Sequence, residues 1–132
     1  MKQIKIYYWS PHINKDVATV KAVLNSAKSL EKYSQKYDVN IINVFGEWEF
    51  CKENNEEISF IDLYLSKKLS LDKNITGFVK SRLTYLLIGL FSIIPLYKLL
   101  KKEKPDYLVV HLLTFIPFIL LILFNFKTKF IL

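Results

Sequence analysis

The chain opens with an apolar run, Ile4-Lys5-Ile6-Tyr7-Tyr8-Trp9, which breaks at Ser10-Pro11 into a polar loop. The run reads as a strand, and the pattern behind the loop changes period. Val20, Val23, Leu24, Ala27 and Leu30 fall on one face of a helix, while Lys21, Asn25, Lys28, Ser29 and Lys32 fall on the other. That spacing predicts a long helix over Val17–Tyr33, N-capped by Asn14 or Asp16 and ended by Gln35-Lys36-Tyr37-Asp38. Val39–Phe45 then resumes as a second strand. Strand, helix and strand in this order form the first β-α-β unit of a parallel sheet, whose right-handed crossover makes the strands neighbours and whose ligands gather at strand C-terminal ends.

Further along, Trp48 and Phe50 alternate with Glu47 and Glu49 in a polar stretch, Glu47–Glu57. With no partner histidine or metal ligand nearby, these glutamates read as carboxylates of a solvated loop rather than an acid/base pair. Ile58–Leu65 is expected as a short third strand, Lys67–Asn74 as a polar connection, and Gly77 as the residue before a new helix, Phe78–Lys102. This helix has Lys80 and Arg82 at its start, Lys98, Lys101 and Lys102 at its end, and no charge between Leu83 and Tyr97. The uncharged stretch is shorter than the roughly 20 residues of a membrane span, and Pro95 interrupts it, so a buried or membrane-surface helix is expected. Lys104-Pro105-Asp106 then leads into a fourth strand, Tyr107–His111, followed by a helix over Thr114–Phe126 and a fifth strand, Lys129–Leu132. The expected fold class is α/β, a Rossmann-like parallel sheet with flanking helices, built as one domain over residues 1–132. A rival arrangement makes Leu83–Tyr97 and Tyr107–Phe126 two spans of a membrane hairpin with Lys98–Lys104 inside, giving a small membrane protein without catalytic activity. The soluble β-α-β unit ahead of it, and His111, Thr114 and Pro117 within the second run, favour the sheet.

A chain of 132 residues that is 52% hydrophobic can bury a core as a single domain. Its one cysteine, Cys51, forms no internal disulfide and belongs to no CxxC pair, so it carries no zinc or redox signature. The N-terminal lysines run directly into a strand rather than a signal peptide, which makes the cytoplasm the expected location. The net charge of +7 raises the question of nucleic acid. Arg82 is the only arginine and the lysines are dispersed, a distribution that argues against base readout and suits an anionic membrane surface beside the apolar helices, such as the inner face of the plasma membrane. Neither a Walker lysine motif nor a G-x-G-x-x-G loop is present.

The first strand with its Tyr8-Trp9-Ser10-Pro11 turn, the helix Val17–Tyr33, the strand Val39–Phe45 and the segment Lys102-Glu103-Lys104-Pro105-Asp106-Tyr107-Leu108-Val109-Val110-His111 follow one another in a characteristic order. Over its whole length the chain resembles the N-terminal domain of family-4-like glycosyltransferases of the two-Rossmann-domain (GT-B) type, and the last segment is similar to their element of helix, Pro-Asp, hydrophobic strand and His. The resemblance implies transfer of a sugar from a nucleotide-sugar donor to a sugar or lipid-linked acceptor in glycan or glycolipid biosynthesis, without a further cofactor. The donor would be held mainly by a C-terminal domain, and this chain, ending at a strand, is expected to be the acceptor-side front part of a longer, split or truncated enzyme, inactive alone. His111 and His12 are then the candidate catalytic residues, and Ser10, Asn14, Lys15 and Thr19 the candidate substrate-binding residues. His12 would orient or deprotonate an acceptor hydroxyl. The chain departs from many relatives in having no glycine in the loop Ser10–Asp16, where a close approach to phosphate would call for one. No metal signature accompanies two histidines so far apart without a carboxylate at ligand spacing. Peripheral membrane contact is expected as a further partner, nucleic acid is not.

Overall fold

The computed structural model describes residues 2–11, 18–52, 54–63, 78–111, 119 and 127–132. Five strands form one sheet: β1 (Ile4–Trp9), β2 (Tyr37–Asn43), β3 (Ser59–Asp62), β4 (Tyr107–Val110) and β5 (Lys129–Ile131). Among the described residues, the helices α1 (Ala18–Glu31), the short α2 (Glu49–Lys52) and α3 (Phe78–Glu103) flank it. All strand pairs are parallel, in the order β3-β2-β1-β4-β5, so the protein has the α/β, Rossmann-like architecture its sequence implies.

Parallel strands covered on both faces divide their side chains between two cores. Ile6 and Tyr8 of β1 and Val39 and Ile41 of β2 meet Val20, Val23 and Ala27 of α1 and Cys51 of α2. Tyr7 and Trp9 of β1, Ile42 of β2, and Leu108 and Val110 of β4 meet Ile88, Leu96 and Leu100 of α3, with Ile119 beside them. The buried side of α3 also carries Thr84, Gly89 and Ser92. Thr84 and Ser92 donate their hydroxyl protons to the Lys80 and Ile88 carbonyls of the preceding turn, which satisfies them inside the interface.

The turn from α3 into β4 has a definite construction. Lys104 takes a left-handed conformation with φ 47° and donates its N–H to the Leu100 carbonyl, closing the helix one residue before Pro105. Asp106 then joins the strands. Its carboxylate accepts the Lys5 N–H at 2.9 Å, its own N–H goes to the Lys5 carbonyl at 3.0 Å, and its carbonyl accepts from Lys129 at 2.9 Å. The β1–β4 ladder begins only at Ile6 and Tyr107, so the Asp106 side chain supplies the acceptor that Lys5 would otherwise lack on that side.

Several boundaries differ from the sequence expectation. The second strand starts at Tyr37 and ends at Asn43, because Tyr37 and Asp38 pair with Ile4 and Lys5. The third is confined to Ser59–Asp62, opposite Asn40–Asn43. Glu47–Glu57 is not a solvated loop: it contains α2, and Glu47, Trp48, Cys51 and Asn55 are buried. The expected fourth strand is present between β1 and β5 but ends at Val110, one residue before His111. The expected N-cap residues Asn14 and Asp16, the connection Lys67–Asn74 and most of Thr114–Phe126 lie outside the described residues.

Candidate functional site

Winding proceeds from β1 outward to β3 on one side and from β4 to β5 on the other, so the direction reverses between β1 and β4. In such sheets the helices and loops diverge beyond the carboxyl ends of the two central strands, leaving a crevice for ligands. Ser10 and His111 are the first residues past the last paired positions, Trp9 and Val110, and the His111 N–H donates to the Trp9 carbonyl at 3.2 Å. Ser10 is buried and His111 half-buried. Burial alone lowers the His111 imidazole below its ordinary 6.5, so at neutral pH the ring is uncharged, with one nitrogen donating and the other accepting. Trp9 itself faces the α3 core, where its buried indole N–H has no acceptor among the described residues. Thr19 stands on the first turn of α1 and is partly exposed. His12, Asn14 and Lys15 lie outside the described residues. The structure therefore brings together Ser10 and His111 out of the six predicted site residues.

A second polar group occupies the same edge of the sheet, at the ends of β2 and β3. Gly46, with φ 92°, turns the chain so that the Glu47 carboxylate folds back over the end of β2. There it accepts the Val44 N–H at 3.0 Å to each oxygen and the Phe45 N–H at 2.8 Å. Burial pushes the Glu47 carboxyl from 4.5 up to about 7, although the Phe45 and Val44 N–H groups favour its ionised form. Glu49, two residues on, faces outward. It accepts from Asn43 at 2.7 Å and from Lys52 at 2.8 Å, while Asp62 accepts from the same Asn43 and Lys52, each at 2.7 Å. Burial works against the Lys52 ammonium, but the hydrogen bonds to Asp62 and Glu49 outweigh it and raise its pKa. Asn43 closes the group by accepting the Trp48 N–H at 3.2 Å. Asn43, Glu49, Lys52 and Asp62 form one network, and the pairing of β2 with β3 is what brings Asp62 into it. The sole local hint is Asn43 interrupting the apolar run Ile41-Ile42-Asn43-Val44.

Chemically, the ends of β1 and β4 offer a half-buried neutral imidazole as proton acceptor and a buried hydroxyl. The β2–β3 network offers fixed hydrogen-bonding groups and one carboxyl poised near neutrality. Among the described residues no three His, Cys, Asp or Glu side chains are grouped to hold a metal ion. Burial raises the Cys51 thiol despite Lys28, which makes it a packing residue rather than a nucleophile. No protein-family model, curated protein or solved structure matches this chain.

Proposed function

We propose that this chain is the acceptor-side half of a nucleotide-sugar-dependent glycosyltransferase of the GT-B type. The observation that carries the reading is the position of Ser10 and His111 at the point where the sheet reverses its winding, with His111 ending the strand that follows Pro105-Asp106. On this reading the crevice holds an acceptor hydroxyl beside the His111 ring, which receives the hydroxyl proton as the bond to the sugar forms. The nucleotide diphosphate leaves from a second domain, whose cationic and backbone groups stabilise it, and alignment of the two substrates supplies much of the rate. On this reading Ser10, Asn14, Lys15 and Thr19 are the candidate acceptor-binding residues, with His12 as the other candidate base.

Backbone amide NMR of the chain, titrated with a panel of saccharides and with nucleotide sugars, tests the proposal. Saccharide-dependent shifts at Ser10 and His111 that disappear in H111A are expected, together with no turnover of nucleotide sugar by the chain alone. A full saccharide panel that leaves the β1 and β4 ends unmoved would refute acceptor binding, and clear turnover would refute the division of labour between two domains. The alternative of a non-catalytic membrane hairpin requires the chain to be insoluble without detergent. Against it stands the pairing of Tyr107–Val110 with both β1 and β5.

A further inference from the structure

Helix α3 is apolar on the side the sheet does not cover. Leu83, Leu86, Leu87, Leu90, Phe91 and Ile94 are 42 to 65% exposed, and at 100° per residue they fall within one outward sector. Phe78 and Val79, 71 and 77% exposed, extend the apolar surface toward the helix start. Six large side chains exposed by about half leave on the order of 600 Å² of contiguous apolar surface, the upper end of what a monomer ordinarily carries. Conversely, Thr84, Gly89 and Ser92 sit on the side facing the sheet. With Ile88, Leu96 and Leu100 also buried, the helix is apolar on both sides, unlike an ordinary surface helix with one polar face.

Cations mark both ends of this stripe. Lys80 precedes it, Lys98 and Lys101 follow it in the same outward sector, and none of the three forms an ion pair among the described residues. At the C-terminal end of α3, an open cavity of about 890 Å³ is lined by Lys2, Lys101, Lys104, Lys127 and Lys129, with Asp106 as the one acidic group among the described residues lining it. Asp106 already accepts the Lys5 N–H. Together these cations leave one end of the stripe strongly positive.

We infer that the outward face of α3 is a docking surface for an anionic lipid bilayer, with the helix lying in the interface plane and not crossing it. Its leucines, Phe91 and Ile94 enter the boundary of the acyl chains, and Lys80, Lys98, Lys101 and the lysine-lined cavity meet the headgroup phosphates. Charge selects this occupant. A second copy of the chain would bring the same cations against themselves, whereas a neutral apolar partner would leave them unused. By length and composition α3 could also cross a membrane, but Ile88, Leu96 and Leu100 on its other side are committed to the sheet core. The inference rests on α3 and its basic surroundings, independently of the sugar-transfer proposal.

Co-sedimentation of the full chain with phosphatidylcholine vesicles, with and without 30% phosphatidylglycerol, tests it. Binding to the anionic vesicles that weakens with added salt is expected. It should be abolished by combining L87E with F91E, both at exposed positions, in a protein whose circular dichroism and melting temperature are unchanged. K101Q combined with K104Q should weaken binding about 25-fold, roughly fivefold for each cation removed near the surface. The inference is overturned if phosphatidylglycerol vesicles leave the chain in the supernatant, or if L87E with F91E binds them equally well. It is also overturned if sedimentation equilibrium shows a dimer that the same pair dissolves, or if the bound chain resists extraction by alkaline carbonate as a spanning helix does.

Discussion

Replacing Glu47 by glutamine should stabilise the protein at alkaline pH and do little at acidic pH. The Glu47 carboxyl is buried beside the end of β2 and pushed from 4.5 up to about 7, with desolvation as the main cause. A folded-state value above the unfolded one means that the native state holds its proton more tightly. The stability tied to the neutral form is fully present below the ordinary carboxyl value and is lost as pH rises through about 7. Integrating that shift between pH 5 and pH 8 gives a loss of roughly 2–3 kcal/mol from this one group. Glutamine imitates the protonated acid. Its carbonyl oxygen can take the place of the oxygen that accepts both the Val44 and the Phe45 N–H, at 3.0 and 2.8 Å, so the turn keeps its acceptor. At pH 5 the two proteins should therefore agree within about 1 kcal/mol, the worth of one imperfect hydrogen bond. At pH 8 the glutamine variant should gain on the native protein by the 2–3 kcal/mol just derived. Urea unfolding of both proteins at both pH values measures this, and the difference between them removes the opposite trend from His111, which disfavours the fold as pH falls below the ordinary histidine value. A gap between the two proteins that is equal at pH 5 and pH 8, within about 0.5 kcal/mol, would show that Glu47 ionises normally in the fold and would refute the reasoning.

Two further outcomes follow from the turn between α3 and β4. Substituting Asp106 by alanine removes the acceptor of the Lys5 N–H at the start of the β1–β4 pairing, and because Asp106 is exposed, water takes over part of the role. A loss of about 1–2 kcal/mol in urea unfolding is expected, and a loss below the error of the measurement would mean that the contact contributes nothing. Lys104→Gly should raise stability by up to about 1 kcal/mol, since the residue sits at φ 47° where a Cβ is disfavoured. A lower melting temperature for this variant would contradict the strain inferred there.

The strands and helices were legible wherever burial leaves a regular trace. Strand β1 and helix α3 stand where the hydrophobic pattern predicts them, and α1 differs only at its ends, because each presents a continuous apolar run or a face of period 3.6. Strand limits were less legible. Tyr37 and Asp38 have turn-like composition but belong to β2, because a partner strand lies beside them. The stretch from Glu47 to Glu57 was misread for a related reason. Its polar sequence describes a loop, whereas Gly46 folds Glu47 inward and Trp48 and Cys51 fill the core under α1. A buried carboxylate served by backbone N–H groups leaves no periodic signal.

By itself the sequence determined the alternation of strand and helix, and with it a parallel sheet. Those are local properties, set by backbone propensity and the spacing of apolar side chains. Only the tertiary structure decided that β4 pairs with β1, which brings His111 beside Ser10, and that Asn43, Glu49, Lys52 and Asp62 share one network. The outward side of α3 was decided there too. A helix apolar around most of its circumference does not encode which side meets the sheet, and the choice falls to the packing of Ile88, Leu96 and Leu100 against the strands beneath them.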